Sequence, residues 1–178
     1  EDYLKSVNYL KEKYKDQIKI RIGFEAEYAE YFLPYYKELL SSGKIEYLIQ
    51  GQHCYFDGDK PDWYNFFLKK PKLLNRYVDD VINGMKSGLF KYLCHPDLFV
   101  MGFQRDCKTI DKLSAKICEA SLKYDIPLEI NMCRTRDTDY GHKDNLCYPF
   151  DHFWRIAGQY HCKVVVGVDA HHPSHYDL

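Results

Sequence analysis

The chain has 178 residues, with 46% hydrophobic and 16% aromatic content, so it can bury a core and is not a disordered chain. Lys plus Arg total 25 and Asp plus Glu total 26, a balance that argues against binding nucleic acid or membranes through positive charge. No apolar run approaches the roughly 18 residues that a membrane-spanning helix needs. The length fits one domain, or a portion of one.

The seven cysteines are spaced without any C-x-x-C pair, which argues against structural zinc modules and dithiol redox motifs. Their odd number and the size of the chain also argue against a framework of disulfides. The first residues, acidic and then amphipathic, do not resemble a signal or transit peptide. We therefore expect a cytoplasmic protein whose thiols are reduced and mostly pack as small core residues.

Helical patterns alternate with short apolar strands along the chain. In chain order, the patterns predict helix 4–14, strand 18–25, helix 34–43, strand 47–53, loop 57–62, helix 74–88, strand 90–94, helix 110–124, strand 127–132, helix 150–160 and strand 163–168. The last strand is almost continuously apolar, which predicts burial on both faces. Five strands separated by helices predict an α/β fold with a parallel sheet and right-handed crossovers.

Polar and ionisable residues follow the predicted strands at the point where each strand ends. They are Glu25, His53, His95, Asn131 and Asp169. In parallel α/β folds the carboxyl ends of the strands meet at one edge of the sheet, so these side chains should converge. Asp169 and His171 stand two residues apart on an extended segment and therefore point to the same side. Taken singly, Glu25 and His53 are better explained as solvated or structural side chains, whereas the pair of Asp169 and His171 is the sharpest local signal of a metal site. Together these residues form the donor set of a zinc, manganese or iron site.

Five short segments resemble, in order and spacing, motifs of the PHP (polymerase and histidinol phosphatase) superfamily, and within it the histidinol-phosphatase branch. They are IGFEAEY at 22–28, GQH at 51–53, CHPDL at 94–98, LEIN at 128–131 and GVDAHHP at 167–173. Each motif is weak alone, but the five together cover nearly the whole chain. The resemblance implies a distorted (β/α)7 TIM-like barrel with three divalent metal ions at the carboxyl ends of its strands.

The resemblance also implies the ligands of these metals. Glu25 would bridge two ions, His53 and His95 would complete the second ion, Asp169 would bind the first and His171 the third. The implied reaction is hydrolysis of a phosphate monoester, most closely L-histidinol phosphate in histidine biosynthesis, by a metal-activated hydroxide that attacks phosphorus. Asp169 and His171 would act as catalytic residues that manage protons.

The partner implied by the resemblance is a small phosphorylated substrate, with no nucleic acid and no membrane. The side chains expected to bind that substrate are Arg105, Arg134, Arg136 and Asn131. For each arginine, an ordinary solvated loop position is at least as good an explanation.

The chain departs from the family pattern at its start. The family opens with an H-x-H strand, whereas the first histidine here is His53. We therefore expect residues 1–178 to form one PHP-type domain that lacks the first two strands and is incomplete at both ends. A missing N-terminal segment or a second copy in a homo-oligomer would then complete the barrel. Only the metal position built from Glu25, His53 and His95 keeps all its implied ligands.

Two alternatives stay open at this point. The chain could be a non-catalytic metal-binding fragment or degenerate relative. Within the same fold, it could instead be another phosphoesterase, such as a phosphotyrosine phosphatase.

Overall fold

A computed structural model describes residues 2–64, 71–102, 107–133 and 148–176 of the chain. The α-helices are α1 (Asp2–Lys13), α2 (Leu33–Ser41), α3 (Pro71–Ser87), α4 (Cys107–Tyr124) and α5 (Asp151–Gln159). The strands are β1 (Gly23–Ala26), β2 (Tyr47–Gln50), β3 (Cys54–Asp57), β4 (Lys60–Trp63), β5 (Phe90–Leu93), β6 (Leu128–Asn131) and β7 (Val164–Gly167). None of the described helices combines the length and the apolarity needed to cross a membrane.

Five of the strands form one sheet in the order β1-β2-β5-β6-β7, and all neighbours in it are parallel. Strands β3 and β4 pair separately as an antiparallel hairpin. The predicted α/β class with a parallel sheet of five strands is therefore confirmed. Because the strands are parallel, all five carboxyl ends open on the same edge of the sheet.

The main core lies between the sheet and helices α3, α4 and α5. The buried face of α3 carries Leu74, Tyr77 and Val81, which recur at the spacing of one helix face. Ile117 from α4 and Phe153 from α5 are completely buried in the same cluster. Full burial of one such side chain stabilises a fold by about 1.5–3 kcal/mol, so this core fixes the strands whose ends carry the polar residues.

A second, smaller core packs helix α2 against strands β1, β2 and β5. Its buried members are Ile22, Tyr36, Ile45, Leu48 and Phe90. Helix α1 has no buried residue and is attached through side chains, such as the Tyr3 hydroxyl that donates to the Gly23 carbonyl at 3.0 Å. This second core holds β1, and with it Glu25, beside β2.

The first predicted strand and the predicted loop differ from the structure. The first strand begins at Gly23 rather than at residue 18, and Ile18 is 60% exposed. The predicted loop 57–62 is instead the turn and second strand of the β3–β4 hairpin. Its composition of Asp, Gly, Lys and Pro is typical of a loop, but cross-strand pairing and a positive φ of 64° at Gly58 accommodate a tight turn there.

The prediction that the last strand is buried on both faces is also wrong. Val164 and Val166, on one face of β7, are 50% and 69% exposed. Strand β7 is the last of the sheet, and nothing among the described residues covers that face. Burial of both faces requires a packed element on each side of the strand. The apolar composition of the strand does not show whether such an element is present.

Candidate metal centre

The predicted strand-end residues converge at the carboxyl edge of the sheet. Glu25 lies on β1, His53 follows β2 by three residues, and His95 follows β5 by two. Asn131 is the last residue of β6, and Asp169 follows β7 by two residues. The strand predicted for 47–53 ends at Gln50, so His53 is placed by the connection to the hairpin rather than by the strand itself.

Glu25, His53 and His95, here the Glu25 triad, bring one ligand atom each to within 4.8 Å of the others. The Nε2 atom of His95 lies 3.2 Å from Oε1 of Glu25, and the Nε2 atom of His53 lies 3.7 Å from the same oxygen. Zinc–ligand bonds of about 2.0–2.1 Å at a tetrahedral angle separate N and O ligands by about 3.3 Å. The triad therefore matches the spacing of one metal ion.

A second glutamate, which sequence reasoning did not single out as a site residue, orients His53. Oε1 of Glu27 lies 2.9 Å from Nδ1 of His53, and Oε2 accepts the backbone N–H groups of His53 at 2.7 Å and Cys54 at 3.2 Å. The carboxylate selects the tautomer with its proton on Nδ1, which leaves the Nε2 lone pair facing Glu25. The signal in the sequence was the position of Glu27 two residues after Glu25.

Electrostatics within the triad favour an ionised carboxylate. Burial alone would raise the pKa of Glu25, but the hydrogen bond from His95 and the nearby imidazoles outweigh it and lower that pKa. Burial likewise disfavours the charged form of His53, but the Glu27 carboxylate outweighs it and raises the pKa of His53. Glu25 is therefore ready to act as an anionic oxygen ligand.

Two glycines make room for glutamate carboxylates of the neighbouring strands. A Cβ at Gly51 would overlap the carboxylate of Glu25, and a Cβ at Gly167 would overlap that of Glu129. Gly51 precedes His53 by two residues and Gly167 precedes Asp169 by two residues. In both cases a glycine two residues before a predicted ligand leaves space for a glutamate of the neighbouring strand.

Asp97 fixes the segment that carries His95. Its Oδ2 atom accepts the backbone N–H of Phe150 at 2.7 Å and the indole N–H of Trp154 at 3.1 Å. Burial raises the pKa of Asp97 to about 6, although these hydrogen bonds oppose the shift. The loop after β5 is thereby attached to the start of α5, and His95 is held at a φ of 30°.

A second group of donors lies beside the first. Cys133, Asp169 and His171, here the Asp169 triad, also bring their ligand atoms to within 4.8 Å of one another. Nδ1 of His171 lies 3.8 Å from Oδ1 of Asp169 and 3.9 Å from Sγ of Cys133. Asp169 and His171 thus reach a common point, whereas their assignment to two separate metals stays a prediction. Cys133 was expected to be a core residue, and only its position two residues after β6 could have indicated a role here.

A buried acid and amide connect the two triads. Oε2 of Glu129 accepts the backbone N–H of His95 at 3.1 Å and the Nδ2 group of Asn131 at 2.9 Å. Nδ2 of Asn131 also lies 3.2 Å from Oδ2 of Asp169, and its Oδ1 accepts the Cys133 backbone N–H at 2.9 Å. Burial, with the charge of Asp169, raises the pKa of Glu129. Asn131 therefore holds Cys133 and Asp169, and it is linked to His95 of the Glu25 triad through Glu129. Its predicted contact with substrate stays a prediction.

The predicted phosphate-binding arginines, Arg105, Arg134 and Arg136, lie outside the described residues. Their roles stay predictions.

Carboxylate and imidazole donors at the carboxyl ends of parallel strands occupy the position where α/β barrel enzymes carry their active sites. The sequence profile of the PHP domain matches residues 2–133, well over half of the chain, and the chain belongs to the PHP domain family. Comparison with curated protein sequences finds no match.

Solved structures support the same fold. One is hisK from Listeria monocytogenes, which is provisionally assigned as a histidinol phosphatase: its TM-score is 0.64 at 20% identity, and the match covers 95% of this chain and 70% of that one. Another is the histidinol phosphate phosphatase HISK from Lactococcus lactis subsp. lactis, complexed with Zn, L-histidinol and phosphate. Its TM-score is 0.64 at 18% identity, and the match covers 93% of this chain and 64% of that one. The chain spans about two thirds of their length, and its fold is that of a partial TIM-like barrel, as predicted.

Proposed function

We propose that the chain carries the active site of a metal-dependent phosphomonoesterase, with L-histidinol phosphate as its substrate. The observation that carries this proposal is the Glu25 triad, whose nitrogen and oxygen donors face a common point at the carboxyl edge of the sheet. The choice of substrate is supported by the similar Lactococcus structure, which holds Zn, L-histidinol and phosphate.

The donor set fits divalent metal ions. Two imidazoles and a carboxylate suit zinc, manganese or iron, and in the neutral His53 ring the carboxylate of Glu27 favours the proton on Nδ1, so that Nε2 is the nitrogen that can bind a metal. Bound divalent ions would supply Lewis acidity, which neutralises phosphate oxygens and lowers the pKa of water. The carboxylate of Glu25 and the imidazoles of His53 and His95 would hold one of these ions.

The protein groups themselves manage position and protons. Glu27 orients His53, and Glu129 holds the backbone of His95. Asp169 has one oxygen, Oδ2, engaged by Asn131, while Oδ1 faces His171. Oδ1 of Asp169 and the His171 imidazole are thus the groups placed to accept a proton during attack and return it to the leaving alcohol.

The test is phosphate release from L-histidinol phosphate, p-nitrophenyl phosphate and phosphotyrosine by the chain supplied with Zn²⁺, Mn²⁺ or Fe²⁺. We expect hydrolysis with the highest kcat/KM on L-histidinol phosphate, and its loss in the His53→Ala variant. A higher kcat/KM on phosphotyrosine would reject the proposed substrate but keep the enzyme class. Stoichiometric metal binding without hydrolysis of any of the three would reject the enzyme and favour a non-catalytic metal-binding protein.

A further inference from the structure

The β3–β4 hairpin begins directly after His53, and its second strand ends at an exposed tryptophan, Trp63. We propose that Trp63 is a surface on which a planar ring of the substrate stacks, so that the site selects phosphate monoesters whose alcohol carries an aromatic or imidazole ring. The inference rests on the proposed function, and it adds a binding residue and the class of substrate that this residue selects.

Trp63 lies next to a residue of the Glu25 triad. In the hairpin it pairs directly with Cys54, the residue that follows His53. The backbone N–H of Tyr64 donates to the carbonyl of His53 at 3.1 Å, which fixes the end of β4 beside His53. Residues directly opposite each other in antiparallel strands have Cβ atoms about 4.5–5.5 Å apart. Trp63 therefore stands at the base of the hairpin, within one residue pair of a predicted metal ligand.

The side of the hairpin that carries Trp63 faces the segment after β1. Directly opposite residues of an antiparallel pair project to the same side, so Trp63 shares a side with Cys54 and with Phe56, two residues further on. Burial, and then the charge of Glu27 and a hydrogen bond to it, raise the pKa of the Cys54 thiol to about 12, so this thiol lies against the Glu27 carboxylate. The ring of Phe56 packs edge-on against that of Phe32 at 5.2 Å. The indole thus projects on the same side as the carboxylate that orients an imidazole of the Glu25 triad.

The other side of the hairpin is anchored to helix α3. The guanidinium carbon of Arg76 lies 4.2 Å from the centre of the Tyr55 ring, and the same guanidinium donates to the Phe56 carbonyl at 2.6 Å. Across the two strands, the Tyr55 hydroxyl donates to the Asp62 carboxylate at 2.5 Å. These contacts hold the strand that carries Trp63 in place. The indole is therefore a preorganised surface, and little order is lost when a ring binds to it.

An exposed indole is suited to bind a planar ring. Its face carries negative potential, which attracts the positive edge of another ring or a ring with a positive charge, and stacked rings attract each other beyond the area that they bury. A substrate whose phosphate lies at the strand ends extends its alcohol into the loops at the carboxyl edge of the sheet, and the hairpin is one of these loops. An alcohol without a ring leaves the indole uncovered and therefore binds less tightly.

Phosphate esters that differ only in their side chain test the selected class. L-Histidinol phosphate carries an imidazole, L-phenylalaninol phosphate a phenyl ring, and L-alaninol phosphate no ring. With Zn²⁺ supplied, the ratio of kcat/KM for each ring-bearing ester to that for the alaninol ester should fall by about tenfold in Trp63→Ala, mainly through KM, and should largely return in Trp63→Phe. The control is Tyr9→Ala, which removes a similarly exposed ring from α1 and should leave this ratio unchanged. A ratio that is undiminished in Trp63→Ala would overturn the stacking role.

Tryptophan fluorescence tests the same contact without turnover. L-Histidinol should change the emission of the Zn²⁺-supplied wild-type chain and L-alaninol should not. Trp63→Phe should lose the response although Trp154, the second tryptophan of the chain, remains. A wild-type chain without this response, or a response that persists in Trp63→Phe, would overturn the inference. The response together with no phosphate release from any ester would reject the proposed function and keep the contact, whereas turnover with the same ratio in Trp63→Ala would reject the contact and keep the function.

Discussion

Replacing Glu27 by glutamine tests whether an oriented imidazole is essential to the metal centre. The carboxylate of Glu27 accepts three hydrogen bonds: one from the His53 ring and two from the backbone N–H groups of His53 and Cys54. In Glu27→Gln, the single amide oxygen can keep the two backbone donors, and the amide N–H₂ group then faces Nδ1 of His53. That group donates a proton, so it favours the tautomer with hydrogen on Nε2, which blocks the nitrogen that faces Glu25.

The structure sets the size of the expected effect. Loss of one hydrogen bond to a charged group costs about 1.5–3 kcal/mol, and a changed partner of a ligand histidine lowers metal affinity by about 10–100-fold. Zn²⁺ affinity would be measured by chelator competition, and the free energy of unfolding by urea denaturation. Glu46→Gln is the matched control. Glu46 also accepts three hydrogen bonds, from Lys11, Arg21 and the backbone N–H of Ile22, but it lies away from the metal centre. Equal Zn²⁺ affinity in Glu27→Gln and the wild type would refute the orientation argument.

Three further predictions address other parts of the metal centre. His95→Ala should abolish phosphate release and lower metal content by about one ion per chain, measured by elemental analysis, because a ligand of the Glu25 triad is removed. Gly51→Ala should displace the Glu25 carboxylate and weaken Zn²⁺ binding, measured by chelator competition, by about tenfold or more. In the control Gly158→Ala the new Cβ meets only open space, so the Zn²⁺ affinity should not change. Asp97 has a folded-state pKa of about 6 against an ordinary 3.8, so the folded state binds its proton more tightly than the unfolded chain. The free energy of unfolding should therefore gain up to about 3 kcal/mol as pH falls from above 6 to below 3.8 and lose it as pH rises through 6. Urea denaturation should find this dependence removed in Asp97→Asn.

Each of these predictions has a contradicting result. Full metal content in His95→Ala would show that this residue is not a ligand, and equal effects of the two glycine substitutions would remove the steric argument for Gly51. An unchanged pH dependence in Asp97→Asn would mean that the Asp97 carboxyl is ionised in the folded protein at the same pH as in the unfolded chain.

The sequence was sufficient to predict the five strands of the main sheet and the acids and histidines at their ends. Apolar periodicity marks a strand, and a parallel sheet brings all carboxyl ends together, so Glu25, His53, His95 and Asp169 could be expected to meet. Local patterns carry this information because each strand and its terminal residue are adjacent in the chain.

The supporting groups could not be predicted in the same way. Glu27 matters because it reaches His53, 26 residues along the chain, and Glu129 because it reaches His95, 34 residues away. Cys133 gains its neighbours only when β6 and β7 pair and bring Asp169 and His171 beside it. Their roles depend on tertiary contacts that no local pattern encodes. The β3–β4 hairpin was missed for a related reason, since its exposed second strand has the composition of a loop.

The central claim is that metal held by the Glu25 triad enables hydrolysis of a phosphate monoester. The most direct measurement is the rate of phosphate release from L-histidinol phosphate by the chain as prepared, after removal of metal with a chelator, and after return of Zn²⁺ or Mn²⁺. The proposal predicts turnover that disappears with the chelator, returns with the metal, and stays absent in His53→Ala under every condition. Turnover that resists chelation, or that persists in His53→Ala, would contradict it.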